Sequence, residues 1–158
     1  MSTKLKFVCL SLVASASVLG CGGSAISSAD EHATNACLIT EESDGSYSRP
    51  LIPPDELTWN IDNDLTSLEK ASKSWIELAS EASAASQDDA GFYTLSALTS
   101  DISAMRREVV STRKNAPWAV TLEQILGLQD WSYIYDNYNS QLNKYQTECM
   151  GLSTRLND

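Results

Sequence analysis

A single histidine, His32, is present in 158 residues, and that scarcity removes the commonest general base and the usual nitrogen ligand for a metal. The chain also lacks a glycine-rich phosphate loop, a nucleophile elbow and a paired-cysteine metal motif,. Serine is abundant but scattered, and a serine without a neighbouring base is no nucleophile. These absences argue against an enzyme and imply no cofactor. The run Asp62-Asn63-Asp64 faintly suggests a calcium loop, yet the turn glycine is missing and Lys73 stands where the final Glu belongs,. It reads as the start of a helix, and no metal site is expected.

Basic residues are scarce as well. Two of the eleven, Lys4 and Lys6, lie in the first twenty residues, so the rest of the chain carries nine against twenty-one acidic residues. Such a surface repels nucleic acid and anionic lipid headgroups, which excludes nucleic-acid binding and electrostatic adsorption to a membrane. No segment shows the Val, Ile and Thr alternation of a half-buried strand,. What remains is helical periodicity, in a length suited to one domain.

At the N-terminus, Lys4 and Lys6 precede an apolar run from Phe7 to Leu19 that ends at Val18-Leu19-Gly20-Cys21. The run is shorter than the roughly 20 residues needed to span a bilayer and reads as an export signal. Its ending resembles the lipobox of bacterial lipoproteins. That resemblance implies cleavage after residue 20, a lipid on Cys21, and a protein held by a covalent anchor on the extracytoplasmic side of the cell envelope. Of four cysteines, Cys9 leaves with the signal and Cys21 takes the lipid. Cys37 and Cys149 remain as an even pair in an oxidising setting, and a disulfide between them is expected.

The pattern after the anchor divides into three parts. Residues 21–36 are small and polar, and read as a flexible tether with His32 solvated within it; an r.m.s. reach of roughly 20 Å follows. Residues 37–54 carry Leu38-Ile39, a turn signal at Asp44-Gly45 and prolines at 50, 53 and 54, which predict an extended strap. Residues 55–158 read as a helical bundle. A first helix starts between Asp55 and Asn60, with Ile61, Leu65, Leu68, Ser72, Trp75, Ala79 and Ala82 on one stripe,. A second runs through Leu95, Leu98, Ile102, Met105 and Val109 and ends before Pro117. The third opens at the capping box Thr121-Leu122-Glu123-Gln124 and continues through Leu128, Trp131, Tyr135, Tyr138, Leu142, Tyr145, Cys149, Leu152 and Leu156,. The fold class expected is all-α, an up-down-up three-helix bundle with an N-terminal extended strap.

Candidate contact residues lie off these stripes. Trp118, Leu126 and Tyr133 are expected to be available to a partner, as is Trp59 unless it packs under the strap. Arg106, Arg107, Arg113 and Lys114 form the one basic cluster; they either complement the helix dipole and pair with acids on the first helix, or receive an acidic partner. The expected function is a non-enzymatic interaction module contacting an envelope protein or an incoming macromolecule. The alternative is a small-molecule carrier with a pocket lined by the aromatic stripe of the third helix. The lipobox itself is tested by feeding cells a fatty-acid analogue: the wild type becomes labelled and Cys21→Ser does not, whereas equal labelling of both removes the anchor assignment.

Overall fold

The computed structural model describes residues 26–48, 50, 65–116 and 131–158, with side chains throughout except at 131–136. Regular structure among these is helical: α1 (Ser28–Ala36), α2 (Leu65–Asp88), a 3-10 turn (Ala90–Phe92), α3 (Tyr93–Asn115) and α4 (Trp131–Asn157). The fold is therefore all-α. Helix α2 packs against both α1 and α3, and α3 packs against α4. The signal and Cys21, the end of the strap at 51–54, Trp59, the start of the first long helix, the Asp62-Asn63-Asp64 run, Trp118 and the stretch from Thr121 through Leu128 lie outside the described residues.

Helix α1 is the first correction, because residues 28–36 were expected within a flexible tether. The Ser27 side chain caps the helix by accepting from the Asp30 backbone N–H at 3.1 Å. Asp30 and Glu31 occupy the first turn, where negative charge suits the helix dipole,. Ala29, Ala33 and Ala36 then form a buried seam at steps of four and three. The helix ends in a Schellman arrangement: Leu38 N–H donates to Asn35 O and Ile39 N–H to Thr34 O, both across the turn,. The left-handed position in that motif holds Leu38, at φ 54°. A non-glycine residue stays there only when its surroundings hold it, and here the flanking Cys37 and Ile39 are both buried.

The strap expectation also changes. Residues 40–48 double back at Asp44-Gly45, with Gly45 at φ 83° and an isolated bridge between Glu41 and Tyr47. Asn157 at the end of α4 receives the Tyr47 N–H at 2.8 Å and donates to the Tyr47 carbonyl at 3.0 Å. Ser153 donates to the Ser48 carbonyl at 2.8 Å. What was expected as an extended ribbon is, over these residues, a small turn stitched to the last turns of α4.

The three long helices follow their predicted stripes with a shift in phase on α2. Leu68, Ser72, Trp75 and Ala82 are buried as expected, joined by Ala71, Leu78 and Ala85, while Ala79 is half-buried. On α3, Leu95, Leu98, Ile102 and Val109 are buried, and on α4 so are Tyr138, Leu142, Tyr145, Cys149 and Leu152. The chain turns from α2 to α3 at Asp89, whose side chain accepts the Gly91 N–H at 2.8 Å. Among the described residues Trp75 is the largest fully buried side chain, and it meets Tyr145 edge-to-face, with ring centroids 5.1 Å apart,. Trp75→Ala should lower stability by roughly 3 to 5 kcal/mol, as large-to-small core changes do. Denaturant melts check this, and a loss below about 1 kcal/mol would place the tryptophan outside the core.

Candidate functional site

The chemistry-bearing residues of the described structure gather where α1 meets α2 and α4. Cys37, immediately after α1, and Cys149, on the apolar stripe of α4, stand at disulfide distance with their Cα atoms 5.4 Å apart, at a sequence separation of 112. Beside this pair the Tyr145 hydroxyl donates to the Ala36 carbonyl at 2.9 Å, satisfying an oxygen left without a partner by the end of α1,. Burial pushes the Tyr145 phenol far above its ordinary 10, so it remains a proton donor. Three further links tie the length of α1 to α2 and α4. Arg155 reaches Asp30 at 2.8 Å, Ser28 donates to Asp88 at 2.9 Å, and His32 Nδ1 lies 2.8 Å from Glu81 Oε2.

His32 thus departs from its expected place in solvent. The spacing of α1 sets it on the side facing α2, where its imidazole is a little over one-third exposed. The hydrogen bond to Glu81 raises its pKa above the ordinary 6.5, and the charges of Glu81, Asp88 and Glu31 act in the same direction. The reciprocal hydrogen bond lowers Glu81 below 4.5. Asn35, one turn further along α1, also donates to the Glu81 carboxylate, at 3.4 Å.

The predicted basic cluster divides. Arg106 is only 4% exposed and is corrected from a contact residue to an interior one: its guanidinium donates to the Tyr138 hydroxyl at 2.8 Å and lies 4.9 Å from that ring's centroid. The reason is phase, since Arg106 follows Ile102 by four and precedes Val109 by three on the buried stripe. That spacing was readable, but the charge suggested a surface. Arg107 is exposed, Arg113 half-buried, and Lys114 pairs across the helices with Glu69 at 2.6 Å. Arg113 and Lys114 occupy the last turn of α3, where the dipole favours cations,. Tyr133 lies on α4, and its side chain, like those of Trp131 and Tyr135, is outside the description; Trp118 and Leu126 lie outside the described residues altogether.

Next to the clamp, an open groove of about 280 Å³ runs between the start of α3 and the end of α4. Phe92, Leu95 and Leu152 contribute apolar surface, Glu148 and Arg155 contribute opposite charges, and Gly91 and Gly151 contribute bare backbone. The Arg155 guanidinium lies 5.2 Å from the Phe92 ring centroid,. Gly151 is exposed in the interior of α4, and a methyl group added there meets nothing within 4 Å. Glycine costs about 1 kcal/mol against alanine in such a position, and no packing among the described residues calls for it. Sequence reasoning missed this groove because its two sides, residues 91–95 and 147–155, are far apart along the chain.

Among the described residues, no group of three or more His, Cys, Asp or Glu side chains converges as metal ligands, and no helix is long and apolar enough to cross a membrane. Comparison with protein families, with curated proteins and with solved structures finds no match to this chain. The class that the fold defines is, over the described residues, an all-helical domain with α1 fastened to the rest.

Two expectations follow from the clamp. Replacing both Cys37 and Cys149 by Ser should destabilise the domain by up to about 4 to 5 kcal/mol, the chain-entropy figure for so long a loop. Thermal melts with and without reductant should show the same difference in the wild type; free thiols at both positions in protein from its own compartment would contradict the pairing. The second concerns pH. His32 binds its proton more tightly when folded, so its contribution is complete below pH 6.5 and fades as pH rises through the raised value,. Glu81 binds its proton less tightly, so its contribution is complete above pH 4.5 and fades as pH falls through the lowered value,. The stability difference between wild type and His32→Asn should be largest between pH 4.5 and 6.5 and shrink as pH rises past the point where the folded imidazole loses its proton,. A difference independent of pH would mean the imidazole acts only by packing.

Proposed function

We propose that this protein is a lipid-anchored, extracytoplasmic helical-bundle lipoprotein that acts as a non-enzymatic interaction module on the cell envelope. In this reading Cys21 carries the lipid, the membrane is contacted through that covalent anchor alone, and the partner is an envelope protein or an incoming macromolecule rather than nucleic acid. The long helices α2, α3 and α4 run up-down-up. In favour of that order, Lys114 at the end of α3 reaches Glu69 near the start of α2, and Arg155 near the end of α4 reaches Phe92 just before α3.

The observation that carries the reading is the fastening of α1. Six residue steps separate Cys21 from the Ser27 cap, a span of at most roughly 20 Å. From Ser27 onward the chain is tied to the bundle by the Cys37–Cys149 pair, the Tyr145 bond and the ion pairs to Asp30 and His32. A domain joined to its anchor so closely is held near the lipid surface at a restricted height, which suits contact with a neighbour in the same envelope. The open, mixed-polarity groove also suits a macromolecular contact better than an enclosed small ligand,.

Fractionation tests the placement. Wild-type protein should stay with membranes, and Cys21→Ser should appear in the soluble extracytoplasmic fraction. A cytoplasmic location for the wild type would overturn the reading.

A further inference from the structure

We propose that the groove between the start of α3 and the end of α4 is a two-fold interface that receives α4 of a second copy of this chain. No packing among the described residues needs a glycine at position 151. Gly151 leaves the backbone of α4 bare on an exposed face, with no atom within 4 Å of the place where a Cβ would be. Bare backbone at the floor of a groove allows another backbone to approach closely.

The charges identify the occupant. Glu148 lies three residues before Gly151, and Arg155 lies three residues after Leu152; all four line the groove. A two-fold axis passing between Gly151 and Leu152 pairs α4 antiparallel with its copy. It sets Glu148 opposite Arg155 of the second copy, and the symmetry makes that contact twice. An interface between identical surfaces must be self-complementary in this way, and the positions of Glu148, Gly151, Leu152 and Arg155 are evenly spaced about the point midway between Gly151 and Leu152. The engagement of Arg155 with Asp30 does not compete, because a guanidinium has five N–H donors and one carboxylate leaves some of them available.

The test is sedimentation equilibrium of the full chain in a density-matched non-ionic detergent over a concentration series. The wild type should pass from the mass of one chain to that of two as concentration rises. Glu148→Arg and Arg155→Glu, each confirmed as folded by circular dichroism, should each weaken self-association about tenfold or more by placing like charges opposite each other. Mixing these two variants should restore association, because one chain then presents only positive charge and the other only negative charge at both contacts. Gly151→Gln should leave the melting curve of the monomer nearly unchanged and abolish the two-chain species. A wild type that keeps the mass of one chain throughout overturns the proposal. So does a two-chain species indifferent to Gly151→Gln, and so does a mixture of the charge variants that remains monomeric.

Discussion

The arrangement of the described residues before α2 depends on the link between Cys37 and Cys149. Helix α1 has nine residues, fewer than an isolated helix needs to be stable in water, and its buried seam is made of alanines, which bring little apolar area. Its docking therefore needs help. The cysteine pair supplies that help where the helix ends, and Tyr145 adds a hydrogen bond to the carbonyl next door. Because Cys149 stands on the same stripe as Tyr145 and Leu152, the link draws the end of α1 into the core rather than onto its rim. The strained Leu38 and the turn at Asp44-Gly45 follow directly after it in sequence and are held by contacts on either side.

Electrostatics acts as a second fastening, laid around the first. The domain is strongly acidic, yet the junction of α1 with α2 and α4 places His32 against Glu81 and Arg155 against Asp30. Half-exposed pairs of this kind contribute little each. They join α1 to α2 through His32 and Glu81 and to α4 through Asp30 and Arg155. At the other end of the bundle Lys114 and Glu69 join α3 to α2 in the same manner.

Much of the architecture was legible from residue spacing. The stripes on α3 and α4 were read with nearly the right members because large side chains such as Ile102, Tyr138 and Tyr145 mark a buried face clearly. Helix α1 was missed for the converse reason: alanine at 29, 33 and 36 looks like a polar spacer among Ser, Asp and Asn, although Ser27 and Asp30 already spelled out a cap. Arg106 was placed outside because charge outweighed phase in the reading, whereas in the structure Tyr138 offers its hydroxyl and ring as the partners that make burial tolerable. The groove was not legible at all, since a concavity shared by residues near 91 and near 151 exists only once α3 and α4 lie together.

The amino-acid sequence by itself determined the helical class, the acidic character and the pairing of Cys37 with Cys149, because each depends on residue type, on residue count or on spacing within one segment. Only the tertiary structure decided that α1 is a docked helix, that His32 meets Glu81 and that Gly151 opens onto a groove. Each of these requires side chains brought together across long stretches of chain, and which faces meet is set by packing rather than by any local pattern.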